Sequence, residues 1–149
     1  MRSSTVKPII LFILTVVVFY LAAFYGIEFL MRRKGPWQVQ FLTDAKGVPS
    51  LRVRQPRLHI ADVQLLCAGT NLLRTNLNVT VLFDQPLKPV PFGKVIYEDL
   101  TQMPGVVTFN LFGHEVELLP RTLLLDKKEV GWQSNMSVTL GNSTQSRTP

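Results

Sequence analysis

Residues 35–41 read Gly35-Pro36-Trp37-Gln38-Val39-Gln40-Phe41, and the hydrophobic period of the chain changes there. Proline lacks a backbone N–H and clashes with a preceding helical turn, so Gly35-Pro36 ends whatever helix comes before it. From Trp37 onward apolar and polar residues alternate, which is the period of a strand with one buried face.

Upstream of this break, Ile9 to Ile27 runs IILFILTVVVFYLAAFYGI, nineteen residues without a charge. At about 1.5 Å per residue such a helix spans close to the ~30 Å hydrocarbon core of a bilayer. The competing reading is a secretory signal peptide, since Arg2 and Lys7 resemble a basic n-region. A signal peptide has an apolar region of only about 7–15 residues followed by small residues at a cleavage site. Here the run is longer, and Tyr20-Leu21-Ala22-Ala23-Phe24-Tyr25-Gly26 offers no A-x-A arrangement. We therefore expect an uncleaved, single-pass signal anchor in the cell inner membrane. Arg2 and Lys7 on one flank nearly cancel Arg32, Arg33 and Lys34 on the other, so the positive-inside rule leaves orientation open. The short head is easily left in the cytoplasm, and we expect an extracytoplasmic (periplasmic) domain.

Within the anchor, Ala22 and Gly26 form a small-xxx-small pair, a candidate helix-packing face. Chance occurrence in an apolar helix is the plainer reading of so short a motif.

Downstream, Leu51 and Val53 alternate with Arg52 and Arg54, and Pro56 then shifts the parity so that Leu58 and Ile60 continue the apolar face. Further strands are predicted around Val63-Leu65-Cys67, Leu77-Val79-Val81-Phe83, Val95-Tyr97, Val107-Phe109-Leu111, Val116-Leu118 and Met136-Val138-Leu140. Eight or nine short strands separated by Gly, Pro and Asn turns predict a mostly β chain: one N-terminal transmembrane helix followed by an antiparallel β-sandwich or small barrel. Phe112-Gly113 has the form of a tight hairpin turn in which Gly113 can take positive φ. The segment Gln85-Pro86-Leu87-Lys88-Pro89-Val90-Pro91-Phe92-Gly93 cannot lie in a central strand and is predicted to be an extended crossover or edge. The organisation expected is an anchor with basic flanks at 1–34, a β domain at 35–140 and a disordered tail at 141–149.

Charge bears on partners. Residues 1–34 carry five basic groups against Glu28, a net +4, whereas residues 35–149 carry eleven against nine, a net +2. The excess flanks the membrane segment, where it meets anionic headgroups, and the nearly balanced domain gives no electrostatic footprint for a nucleic acid. Arg32, Arg33 and Lys34, together with Arg52, Arg54 and Arg57, are candidate contacts for headgroup phosphates or an acidic partner. The plainer reading of the second set is a polar edge that discourages aggregation. Val90 and Phe92 form a candidate partner loop, as apolar residues on a proline-rich backbone.

Catalytic signatures are sparse. His114-Glu115-Val116-Glu117 combines residue types that ligate metals and move protons. On a strand, however, His114 shares a face with Val116 and with neither glutamate, so a solvated hairpin face is expected. Convergence with His59 and a carboxylate such as Asp62 would be needed for a metal-dependent hydrolase. Cys67, the single cysteine, lies in an apolar run and reads as a small buried hydrophobe. Asn78, Asn135 and Asn142 fall in N-x-S/T sequons. No serine elbow, phosphate loop or dinucleotide fingerprint is present. We expect no catalytic site, metal, cofactor or small-molecule substrate. The expected role is a non-enzymatic accessory or scaffold subunit of a membrane complex, with the bilayer and other membrane subunits as partners. A lipid-handling or lipid-sensing β module is the alternative.

Overall fold

The structure, a computed structural model, describes residues 6–32 and 35–141, without the side chains of residues 31 and 32. Arg33, Lys34 and the predicted tail from residue 142 onward, with its sequon at Asn142, lie outside the described residues, and so does the side chain of Arg32. The chain divides into two compact units, residues 1–33 and 34–149.

In the first unit, α1 runs from Val6 to Arg32. Its segment Val6–Leu30 has a mean hydropathy of 2.5 and no buried residue in the most apolar window. Ile9, Phe12, Phe19, Tyr25 and Phe29 all project outward. The Thr15 hydroxyl donates to the Leu11 carbonyl at 2.8 Å and so finds its partner within the helix. This helix is long and apolar enough to cross a membrane, a property that signal sequences near an N-terminus share.

The second unit holds ten strands among the described residues: β1 (Trp37–Thr43), β2 (Pro49–Gln55), β3 (Ile60–Cys67), β4 (Asn78–Phe83), β5 (Lys94–Asp99), β6 (Val106–Leu111), β7 (His114–Leu118), β8 (Thr122–Leu125), β9 (Lys128–Gly131) and β10 (Ser137–Leu140). They form two five-stranded sheets, ordered β10-β3-β2-β1-β4 and β5-β6-β7-β8-β9. The result is a sandwich with open edges, not a closed barrel. In the first sheet β1, β2 and β3 meander, and β4 returns beside β1 after the long connection 68–77, the strand order of a Greek key. The second sheet is a plain meander. Every pairing is antiparallel except β10 on β3, which is parallel.

The sheets meet through the faces that the alternation marks. Val39 pairs with Val53 and Val81, Phe41 with Leu51, and Trp37 with Phe83. Facing them, Val107, Phe109 and Leu111 of β6 and Val116 and Leu118 of β7 are fully buried. Aromatic rings fill the space between. Phe109 meets Phe41 and Phe83 edge-on, with centroids 6.2 and 5.4 Å away, a geometry that the ring quadrupole favours. Cys67 is buried in the same core, and desolvation pushes its thiol up to about 11.

The hairpin at Phe112-Gly113 forms as predicted, with both residues at positive φ. The proline segment pairs with neither sheet and crosses from β4 to β5. The β8–β9 hairpin, closed by Asp126 and Lys127 at φ 49° and 66°, was not anticipated.

Candidate functional site

The sandwich has two poles, and the chain enters at one of them. Inward positions on β2 are Leu51, Val53 and Gln55, so the third carries an amide where a hydrocarbon is expected. Gln55 is almost fully buried. Its Nε2 donates to the carbonyls of Gly35 at 3.1 Å and Pro36 at 3.0 Å, while Oε1 accepts from the Arg57 N–H at 3.1 Å. Pro56 has no donor, so the Arg57 N–H is the first that the turn after β2 can offer. One side chain thus ties the segment leading out of α1 to that turn.

Trp37 continues the clamp. Its indole N–H donates to the Gly105 carbonyl at 3.0 Å, across to the second sheet. Gly105 sits at φ +72°, and a Cβ there would collide with the Asp99 carbonyl, so only glycine lets this loop close over the indole. Trp132 packs against Trp37 and donates to the Leu119 carbonyl at 2.8 Å. Neither Gln55 nor the Trp37–Trp132 pair was singled out from sequence. The signal for Gln55 was its parity with Val53.

On the outer face of the first sheet, Arg52 and Arg54 lie together as expected. A bulge between Val53 and Gln55 puts Asp62 at φ 52° and brings its carboxylate between them. Arg54 Nε stands 3.2 Å and Arg52 Nε 3.8 Å from Asp62 Oδ1. The patch therefore holds its own counter-ion, which lowers its pull on phosphates. Arg57, on the 3-10 turn Pro56–Leu58, points to solvent at the near pole. In α1, Ala22 and Gly26 lie one turn apart on an exposed face, and nothing described stands within 4 Å of where a Gly26 side chain would begin.

His114 corrects the expectation of a solvated face. It is buried on the inner side of β7, and its Nδ1 lies 2.7 Å from Asp126 Oδ2. Asp126 also accepts from the Glu115 N–H at 2.9 Å, so the carboxylate bridges β7 and the β8–β9 turn. Burial alone would raise the Asp126 pKa, but the hydrogen bonds from His114 and Glu115 outweigh it and hold the carboxyl below its ordinary value. Glu115 and Glu117 point the other way, as the strand parity requires. Glu117 is pushed up, first by desolvation and then by its acidic neighbour Glu115. His59 sits in the turn at the near pole, where Ser134 Oγ donates to its carbonyl, whereas His114 follows the Phe112-Gly113 turn at the far pole. The two histidines do not converge. Among the described residues no group of three or more His, Cys, Asp or Glu is placed to hold a metal ion.

The proline crossover brings a second correction. Phe92 is only 8% exposed. It meets Phe41 edge-on at 5.1 Å and stacks on Phe112 at 5.9 Å, plugging the far pole. Val90 packs partly against the same core. The loop presents Leu87 instead, 91% exposed at φ 61°, with its N–H held by Glu98 Oε2 at 2.8 Å. Leu87 borders an open concavity of about 210 Å³ shared with Pro86, Val95, Ile96, Tyr97 and Glu98.

A scan against protein-family models finds no match to this chain, and neither a search of curated proteins nor one of solved structures returns one.

Proposed function

We propose that the protein is a non-catalytic accessory subunit of a membrane complex, held in the inner membrane by α1, with its β-sandwich on the extracytoplasmic side. The observation that carries this reading is α1 itself, an apolar helix whose side chains from Val6 to Ile27 are all exposed within its own unit. Such a surface needs lipid or other helices around it. Its length exceeds the apolar region of an ordinary signal peptide, which favours retention.

The disposition of the polar groups supports a binding role over a catalytic one. Gln55 fastens the chain at its point of entrance, His114 is tied to Asp126, and Asp62 lies against Arg52 and Arg54. The interior is filled by Trp37, Phe41, Phe83, Phe92 and Phe109, which favours a packed module over one that encloses an acyl chain. The clamp at the near pole holds the segment from Gly35 to Trp37 against the sandwich. A modest helix contact and a modest domain contact then reinforce each other through effective concentration.

The test is extraction of the full chain from its native membranes in mild detergent. Other membrane subunits are expected at fixed stoichiometry, and Gly26→Leu, which fills the open face of α1, is expected to reduce their recovery. Recovery of this chain with no other subunit, under conditions that preserve neighbouring complexes, would overturn the reading.

A further inference from the structure

β5 is an outermost strand of the second sheet, and among the described residues no strand pairs with its outer row of backbone donors and acceptors. A bulge between Val95 and Tyr97 breaks its alternation. In a regular strand one of two neighbouring side chains would turn inward, but here Ile96 and Tyr97 are both exposed, at 48% and 56%. Exposed Leu87 and the concavity beside it extend this apolar strip. The other edge of the same sheet is different: β9 is short and carries Lys128 and Glu129, which suits an edge that stays unpaired.

The order of charges along β5 points to an occupant. Lys94 stands at one end, Glu98 and Asp99 at the other, and the apolar pair lies between them. An antiparallel copy of the same strand reverses that order. With a two-fold axis between Ile96 and Tyr97, Lys94 of each copy faces the acidic end of the other, and each Ile96 faces a Tyr97. A bulge on an edge ordinarily discourages pairing; here symmetry gives both strands the same distortion.

We propose that two copies of this chain pair through β5, antiparallel about a two-fold axis, joining their second sheets into one. The contact is isologous and closes on itself. This inference goes beyond the accessory reading, since its partner is the chain itself, and it stands whether or not other subunits are present.

The experiment co-expresses two differently tagged full-length chains and measures how much of one is recovered with the other after mild detergent extraction. Wild-type chains are expected to recover each other. Lys94→Glu with itself and Asp99→Lys with itself each set like charges face to face twice, and recovery should fall about tenfold. Lys94→Glu mixed with Asp99→Lys restores both opposite-charge contacts and should recover near wild-type amounts. The inference is overturned if wild-type chains fail to associate, if either variant self-associates as well as wild type, or if the mixture stays low while both variants melt like wild type. Asp99 also accepts from the Thr101 N–H and hydroxyl, so a second measurement leaves that contact intact. Tyr97→Cys should cross-link to a second copy with a short bis-maleimide, and Glu129→Cys, on the opposite edge, should not. No cross-link at Tyr97→Cys, or an equal one at Glu129→Cys, would also overturn it. Buried Cys67 gives no competing reaction.

Discussion

Trp37 and Trp132 meet with ring centroids 5.4 Å apart and planes tilted by 34°, and each indole N–H reaches a loop carbonyl of the second sheet, Gly105 or Leu119. The pair lies where the chain enters, so it reports on the integrity of that pole.

Because the protein has two tryptophans, near-ultraviolet circular dichroism reads this contact with little interference. Trp132→Phe is expected to remove the coupled indole signal, not merely half the absorbance. It also leaves the Leu119 carbonyl without its donor and should lower stability by about 1 kcal/mol. A spectrum that differs from wild type by one independent indole would contradict the contact.

Asp126 gives a pH dependence whose sign is set by its lowered pKa. The ordinary aspartate value is 3.8. A carboxyl held below that value contributes stability present above it and lost as pH falls through the lower, folded-state value. Wild type is therefore expected to lose melting temperature as pH falls below about 4, and Asp126→Asn to lose less over the same range while starting lower at neutral pH. Parallel curves for the two proteins would show that the His114–Asp126 contact contributes nothing to the dependence.

Phe92 and Leu87 sit five residues apart on one crossover and are expected to respond in opposite directions. Phe92→Ala opens a cavity between Phe41 and Phe112 and should cost about 3–5 kcal/mol. Leu87→Gly removes a side chain that touches little and relieves a left-handed backbone, so stability should hold or rise by up to about 1 kcal/mol. Denaturant titration of the pair tests the assignment; a neutral Phe92→Ala would return that residue to the surface.

Gln55→Ala leaves two carbonyls and one N–H without partners in a partly buried site, at a cost of about 1–3 kcal/mol. Amide exchange at Arg57 should accelerate together with that loss. Unchanged exchange at Arg57 would show that the clamp on the incoming chain is held by something else.

A reporter that works only outside the cytoplasm, fused after Pro149, is expected to be active. Activity of a cytoplasmic reporter at the same site would place the sandwich inside and make Arg32, Arg33 and Lys34 ordinary positive-inside anchors.

The strands legible in the sequence were those with one solvated face, such as Trp37-Gln38-Val39-Gln40-Phe41, where burial imposes a period of two. Thr122–Leu125 escaped notice because Leu124 lies on the outer face and breaks the alternation, and because its turn uses Asp126 and Lys127 where glycine or asparagine would have signalled positive φ. Missing that hairpin hid the partner of His114: the parity of His114 with Val116 was right, but the carboxylate that allows its burial comes from the unseen turn. Phe92 was misplaced for a different reason. Prolines exclude a segment from a sheet, yet a chain passing from one sheet to the other must cover the open end of the core, and an aromatic there finds a site between Phe41 and Phe112.

The parallel seam between β3 and β10 has a consequence for how the protein is made. Along that seam 73 residues separate Ala61 from Ser134, which bonds to it. At ribosomal elongation rates of about 5–20 residues per second, β3 emerges roughly 4–15 s before the strand that will cover its edge. By the end of that interval the nascent chain carries β3 with one edge unpaired beside otherwise completed β structure, a template for pairing with its neighbours. A stop codon placed ahead of Ser137 would make this passing state permanent, and the product would be a sticky, open sheet instead of a slightly smaller sandwich.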